Sequence, residues 1–228
     1  MLLITVNSGS KPKNPDAASV GMGIFVAIEG IDGSGKSTIV SSTASKLREM
    51  GFSIYATKEP SNSEVGRLIR SWALKKETQM PHPSIYALLF AADRTLHYMT
   101  EISPALAVND VVISERYMES TIAYQGALGL SMDWLINLHR YVPRSDIVII
   151  LDLDVDEAMR RLEGRGDLEV FERKALLEKV RRIFLERAHE NGYAVLDASK
   201  RPEEVTLDVV SIISKALYDR GGPRRIKP

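Results

Sequence analysis

The residues best suited to chemistry form a glycine-rich loop near the start of the chain. Residues 30–37 read GIDGSGKS and fit the pattern G-x-x-x-x-G-K-S/T. Glycines let backbone N–H groups converge on phosphate oxygens, and a following helix N-terminus adds positive partial charge. Lys36 supplies a point charge for the outer phosphates, and the Ser37 hydroxyl is a Mg²⁺ ligand. The loop predicts binding of a nucleoside triphosphate; the alternative is a chance glycine-rich turn.

A second reactive pair follows the apolar run VVIS at 111–114. A carboxylate at the end of a strand, such as Glu115, can hold Mg²⁺ directly or through water. Arg116 would then point into the same crevice, where a second anion can sit. The alternative is an exposed Glu–Arg ion pair, which contributes less than about 1 kcal/mol.

Strands and helices must bring the glycine-rich loop and the Glu115–Arg116 pair together. The sequence predicts them, because short apolar runs alternate with helical segments along the chain. The runs have the length of buried strands and lie at 24–29, 52–58, 110–114, 146–153 and 193–198. Helical patterns cover 36–50, 63–75, 83–107, 119–140, 155–190 and 202–219. This alternation predicts an α/β three-layer sandwich: a five-stranded parallel sheet with helices on both faces and a ligand crevice at the carboxyl ends of the strands.

Composition narrows the class of protein. The 228 residues are 44% hydrophobic and 26% charged, as in globular proteins. Thirty basic residues balance thirty acidic ones, so we expect no nucleic-acid partner. The absence of cysteine excludes disulfides and thiol catalysis. No apolar run approaches the roughly 18 residues of a membrane span, so we expect no membrane partner.

We expect a single domain over residues 24–219. Residues 1–23 and 220–228 are rich in glycine, proline and polar residues, which predicts a flexible extension and a flexible tail. The first six residues lack the cationic stretch of an export signal, so we expect a cytoplasmic protein. The histidines form no ligand cluster, and we expect no structural metal at His82, His97, His139 or His189.

Several separate stretches resemble the thymidylate kinase family of nucleoside monophosphate kinases, in the family's order and over about residues 24–215. They are FVAIEGIDGSGKST (25–38), TKEPSNSEVGRLIR (57–70), LLFAADR (88–94), SERYMESTIAYQG (114–126), RLEGRGDLEVFE (161–172) and LDASKRPEEV (196–205). The AADR and RYxxSxxAYQG stretches are more particular to this family than the glycine-rich loop. The resemblance implies a P-loop kinase with a small lid at about 160–172, acting as a homodimer that phosphorylates dTMP to dTDP with ATP and Mg²⁺ in dTTP synthesis.

The resemblance assigns ATP to the glycine-rich loop, at Gly30, Asp32, Gly33, Ser34, Gly35, Lys36, Ser37 and Thr38. Mg²⁺ is assigned to Ser37 and Glu115. Members of the family differ in where they carry the arginine that serves the transferred phosphoryl group, and this loop has none. The lid must then supply it, with Arg161 and Arg165 as candidates, although both also suit a solvated charged helix face. The expected catalytic residues are Lys36, Glu115, Arg116, Arg161 and Arg165.

The resemblance also implies a dTMP site, at Asp32, Glu59, Pro60, Arg70, Phe90, Arg94, Arg116, Thr121, Tyr124 and Gln125. Phe90 would stack on thymine, Arg94 would contact the base or the phosphate, and Thr121 and Gln125 would meet the base edge. Arg70 and Arg116 would grip the 5′-phosphate. Asp32 would lie near the 3′-hydroxyl, and Tyr124 would pack beside the sugar and disfavour a 2′-hydroxyl. From the residues alone, Phe90 and Tyr124 are equally compatible with core packing, and Arg94 with a helix surface.

Two stretches depart from the family pattern. Glu115 stands where aspartate is usual, and Lys58-Glu59-Pro60-Ser61-Asn62 replaces Arg-Glu-Pro-Gly-Gly. Rival interpretations are a kinase for dUMP or thymidine, a nucleotide-dependent switch, and a nucleotide-binding paralog without turnover. The arginines at 70, 94 and 116 favour an acceptor that already carries a phosphate, and the absence of N-K-x-D argues against a GTPase.

Overall fold

The computed structural model describes residues 23–74, 82–163 and 174–221. Its strands are β1 (Ile24–Glu29), β2 (Ile54–Lys58), β3 (Val111–Glu115), β4 (Ile147–Asp152) and β5 (Ala194–Asp197). They form one sheet in the order β2-β3-β1-β4-β5, and every pairing is parallel. The predicted five-stranded parallel sheet is confirmed, with strand ends that differ from the sequence estimate by one or two residues.

Helices connect the strands. They are α1 (Lys36–Glu49), α2 (Glu64–Leu68), α3 (Pro83–His97), α4 (Ser103–Val108), α5 (Met118–Ala127), α6 (Met132–Leu138), α7 (Val155–Glu163), α8 (Lys174–Asn191) and α9 (Pro202–Asp219). π-Helical turns extend α2 at Ile69–Ala73 and join α3 to α4 at Tyr98–Ile102. The predicted extension, most of the predicted lid with Arg165, and the end of the tail lie outside the described residues.

Side chains of β1 alternate between two hydrophobic cores because successive residues of a strand face opposite sides of the sheet. Val26 and Ile28 contribute to the core under α1 and α9, whereas Phe25 and Ala27 contribute to the core under α3, α4 and α5. All six residues of β1 are buried. The sheet therefore has helices on both faces, which confirms the predicted three-layer sandwich.

The carboxyl ends of the neighbouring strands β2, β3 and β1 meet at one edge of the sheet. Ile28 of β1 and Lys58 of β2 both pair with Glu115 of β3. The glycine-rich loop after β1, the Glu115–Arg116 pair and the Glu59–Pro60 segment are consequently adjacent in space. Within the three described ranges, no helix is both long and apolar enough to cross a bilayer.

Candidate active site

Lys36 lies beneath the glycine-rich loop at the start of α1. Its Nζ donates hydrogen bonds to the carbonyl oxygens of Gly30, at 3.1 Å, and Ile31, at 2.7 Å. Burial lowers the pKa of Lys36 to about 8. The positive charge of Arg116 contributes to this shift, and the Asp32 carboxylate opposes it. An anion that enters the loop stabilises the ammonium form, so the loop is suited to a polyphosphate.

The tip of the loop packs directly on α7. Gly33 has φ of 84°, and a Cβ at this position would lie 2.7 Å from the carbonyl oxygen of Ala158. A side chain at position 33 would thus be both strained and obstructed. The contact with α7 therefore favours glycine over arginine at this position of the loop.

Arg161, one turn after Ala158, is held at the base of the predicted lid. Its Nε donates to Glu157 at 2.9 Å, and its Nη1 donates to the carbonyl oxygen of Ala198 at 3.2 Å. Ala198 follows β5, so Arg161 links α7 to the segment after the last strand. Of the two candidate lid arginines, Arg161 and Arg165, only Arg161 lies within the described residues.

The two predicted Mg²⁺ ligands are in contact. The hydroxyl of Ser37 donates to Oε1 of Glu115 at 2.9 Å, because the pairing of β3 with β1 brings Glu115 beside the first residues of α1. Hydroxyl and carboxylate oxygens are the hard ligands that Mg²⁺ prefers, and protein sites for this ion typically use one or two carboxylates with phosphates and water. This donor set fits Mg²⁺ bound together with a nucleotide.

Arg116 connects the loop to the neighbouring cleft. It has φ of 68°, the left-handed region, and is alone in this among the non-glycine residues that the structure describes. Its guanidinium forms an ion pair with Asp32 and donates to Ser120 Oγ at 3.1 Å. Tyr124 OH donates to the other oxygen of Asp32 at 2.8 Å. Burial opposes ionisation of Asp32, but the charges of Arg116 and Lys36 lower its pKa below the usual value.

An open cleft of about 460 Å³ lies beside this cluster. The lining residues are Asp32, Glu59, Pro60, Leu74, Phe90, Arg94, Arg116, Ser120, Thr121, Tyr124 and Gln125. Every acceptor residue expected from the sequence is among them except Arg70. Arg70 instead donates from Nη1 to the carbonyl oxygens of Pro60, at 2.7 Å, and Ser61, at 2.8 Å, beneath the segment that forms one wall.

The cleft combines an apolar wall with an unsatisfied amide. Pro60, Leu74 and Phe90 supply the apolar side, and Phe90 both lines the cleft and packs against the core. Gln125 is 1% exposed, and neither atom of its side-chain amide has a hydrogen-bond partner among the described residues. A buried amide without partners is costly, so this side chain is suited to a ligand that offers both a donor and an acceptor.

Arg94 reaches the same cleft from α3 and is 1% exposed. Its Nε and Nη2 donate to one oxygen of Glu59, at 3.0 Å and 2.6 Å. Nη2 also donates to the carbonyl oxygen of Tyr117 and the hydroxyl of Thr121. The guanidinium is therefore fixed in one orientation and its charge is balanced by Glu59.

Several residues that hold the segments of the site in place were not predicted from the sequence. Glu29 accepts from the backbone N–H groups of Tyr117 and Ser120 and from the Ser120 hydroxyl, which anchors the start of α5. Burial raises the pKa of Glu29. Asp93 accepts from the hydroxyls of Ser61 and Ser63 and so fixes the segment after β2. An acidic residue inside an apolar run is the signal by which Glu29 and Asp93 were detectable.

Comparison with known proteins places this chain in a family. The family model described as thymidylate kinase matches residues 28–209. The chain belongs to the thymidylate kinase family. A probable thymidylate kinase of Pyrobaculum aerophilum is 51% identical over 193 residues, which cover 85% of this chain and 97% of the relative. Membership confirms the predicted fold and the prediction of a kinase that acts on dTMP.

More distant relatives agree. A probable thymidylate kinase of Pyrobaculum calidifontis is 47% identical over 194 residues, covering 85% of this chain and 97% of the relative. One from Pyrococcus abyssi is 42% identical over 200 residues, covering 86% and 98%. The similarity thus extends over nearly the whole length of these proteins, not over the phosphate loop alone.

Proposed function

We propose that the chain transfers the γ-phosphoryl group of ATP, bound at the glycine-rich loop, to the 5′-phosphate of dTMP, bound in the cleft, giving dTDP and ADP. The observation that carries the proposal is the Asp32–Arg116 ion pair, which belongs to both sites. Two anions bound on either side of this pair meet end to end. Phosphoryl transfer depends on such in-line positioning and on neutralising the charge between the anions.

On the donor side, the ammonium of Lys36 exchanges the carbonyls of Gly30 and Ile31 for phosphate oxygens. Ser37 and Glu115 would hold Mg²⁺, which neutralises phosphate charge when bound. No general base is needed, because a phosphate monoester is largely ionised near pH 7.

On the acceptor side, Arg116 binds the 5′-phosphate, and Arg70 adds positive charge while it steadies the Pro60 segment. Thymine lies against Phe90, with Thr121 and Gln125 at its edge. Arg94 acts on the base, beside Thr121, to whose hydroxyl its Nη2 donates. Asp32 and Tyr124 lie beside the sugar, where the tyrosine ring leaves no room for a 2′-hydroxyl.

The arginine that serves the transferred group comes from the lid. The contact of Gly33 with Ala158 obstructs a side chain at position 33 of the loop, which supports this assignment. Arg161 is within one turn of that contact and would leave the carbonyl of Ala198 as the lid closes. Arg165 is the second lid arginine that we propose to serve the transferred phosphoryl group. Closure excludes water and so suppresses hydrolysis of ATP.

The active form is a homodimer. The face of α3 and the following π-helical turn that points away from Arg94 carries exposed apolar side chains at Ile85, Leu88, Leu96 and Met99. Leu88 is 52% exposed and Met99 is 67% exposed. A contiguous apolar stripe of this kind is typical of an interaction surface, and a second copy of the same stripe would cover it. Light scattering of wild type and Leu88→Glu tests this: the variant should be monomeric, and a monomeric wild type contradicts the proposal.

An ADP-release assay with dTMP, dUMP, dCMP, dGMP and thymidine tests the reaction. We expect dTMP to be used best and thymidine not at all, since the site is built around an acceptor phosphate. ATP hydrolysis that no monophosphate stimulates would contradict the proposal. So would calorimetry that detects ATP binding but no binding of any monophosphate.

A further inference from the structure

Two buried histidines flank the guanidinium of Arg94. His139, which follows α6, lies with its ring nitrogens 3.1 Å and 3.2 Å from Nη1 of Arg94. On the other side, Glu59 bridges Arg94 to His97: one carboxylate oxygen accepts from Arg94, and the other lies 3.3 Å from Nδ1 of His97. His139 and His97 are 3% and 1% exposed, respectively.

The contacts of His97 define its protonation. The Thr57 hydroxyl is 2.5 Å from Oε1 of Glu101, so it donates its proton to that carboxylate. Because this proton is used, Thr57 Oγ1 accepts the hydrogen bond from Nε2 of His97, at 2.8 Å. Nδ1 faces the carboxylate of Glu59 and therefore also carries a proton. Both ring nitrogens are donors, which makes His97 an imidazolium.

The charged groups around His97 agree with this assignment. Glu59 faces it from the segment after β2, Glu101 from the π-helical turn after α3, and Asp93 from α3 itself. Tyr55 of β2 also donates a hydrogen bond to Oε1 of Glu101, at 3.0 Å. Burial disfavours the charged ring, but the hydrogen bond to Glu59 and the negative charges of the three acids raise the pKa of His97 above its usual value.

His139 is in the opposite state. Burial and the positive charge of Arg94 lower the pKa of His139 to about 2. Its neutral ring can accept a hydrogen bond from Nη1 of Arg94. Of the two histidines at this arginine, only His97 has a pKa above its usual value, and it is the one held between carboxylates.

We propose that His97 is a positioning residue for dTMP: its charged ring fixes Glu59, and Glu59 fixes the guanidinium of Arg94 against the bound base. The proposal rests on the acceptor role given to Arg94 above. When His97 loses its proton, Glu59 loses one of its two cationic partners and holds Arg94 less firmly. The affinity for dTMP therefore falls as pH rises through the titration of His97, while the ATP site is unaffected by this group.

The first test is the variant His97→Asn, in which a neutral amide replaces the charged ring. We expect the KM for dTMP to rise about tenfold, the energy of one charge-assisted hydrogen bond. The kcat and the KM for ATP should stay within about twofold. The wild-type KM for dTMP should rise with pH, and the variant should lose that rise. His189→Asn, which replaces an exposed histidine of α8, is the control and should behave as wild type.

Two measurements cover the case in which His97→Asn fails to fold. Glu101→Gln leaves Glu59 and Arg94 in place but removes one negative charge beside His97, so the pH dependence of the dTMP KM should move to lower pH. ¹⁵N NMR of the wild type at pH 7 should show both ring nitrogens of His97 protonated.

Three results overturn the proposal: a His97 that is neutral at pH 7, a dTMP KM that His97→Asn and Glu101→Gln both leave unchanged, or equal rises in the KM for dTMP and for ATP. The third indicates general damage to the fold. A wild-type enzyme that does not use dTMP would instead contradict the proposed function, and the NMR experiment would still decide the charge of His97.

Discussion

The donor loop and the acceptor cleft recognise their anions by different means. The loop is a contiguous stretch whose backbone does most of the work, with Lys36 as its one cationic side chain. The cleft is assembled from α3, α5 and the segments that follow β1, β2, β3 and the π-helical turn at Ile69–Ala73. Its side chains are held by buried partners such as Glu59. A backbone site is suited to a phosphate chain common to many nucleotides, whereas a side-chain site can discriminate one base from another.

The largest effect is expected from Lys36→Ala on the donor side. Removal of this charge should lower kcat by about 10³-fold, because no other loop side chain neutralises the transferred phosphate. Thermal stability should not fall, since Lys36 is a buried cation whose pKa is lowered by burial. Lys46→Ala on the exposed face of the same helix is the control. Near-normal turnover of Lys36→Ala would contradict the role given to the donor loop, because the loop would then not be essential for catalysis.

The two regions were also predictable to different extents. The sequence alone predicts the loop and the helix at 202–219, because each depends on a local pattern, and the helix has those bounds in the structure. It does not predict Leu74 or Ser120 in the cleft, because each reaches the site only through the packing of distant elements. His97 and His139 illustrate the limit. They are far apart in sequence and form no motif, yet both reach Arg94, His139 directly and His97 through Glu59.

Gly33→Ala examines the backbone side of the comparison further. The methyl group would meet Ala158 in a residue with φ of 84°, so the loop must shift against α7. We expect kcat to fall by about 100-fold, as a displacement near 1 Å does at reacting groups. Gly129→Ala is the matched control, because Gly129 has φ of 96° but no described atom within 4 Å of the added methyl group. If both variants lose equal activity, backbone strain and not the contact with α7 is responsible.

Gln125→Met addresses the side-chain region. The amide of Gln125 is buried without partners, so a thioether of similar size should raise the free energy of unfolding by about 1 kcal/mol. The KM for dTMP should nonetheless rise about tenfold, because the base loses its hydrogen-bond partner. Ser214→Ala removes another buried oxygen without a partner among the described residues, on α9. It should stabilise the fold and leave KM unchanged. A Gln125→Met enzyme with wild-type KM would show that the amide does not contact the base.

The two regions should also respond differently to pH. Lys36 has a pKa of about 8 in the unliganded loop, below that of a free lysine, so it is partly neutral at pH 8. A bound triphosphate favours the ammonium form and raises this pKa.

ATP binding near pH 8 should therefore take up protons, and the affinity for ATP should fall by up to about tenfold per pH unit above pH 8. Calorimetry in buffers of different ionisation enthalpy measures the uptake, and Lys36→Arg should abolish it because arginine stays charged. The acceptor cleft has no lysine among the described residues that line it, so dTMP binding should show no titration of this kind and should follow His97 instead. If ATP and dTMP affinities shared one pH dependence, the two sites would be coupled through a common group. Asp32 and Arg116, which both sites share, would be the place to look for it.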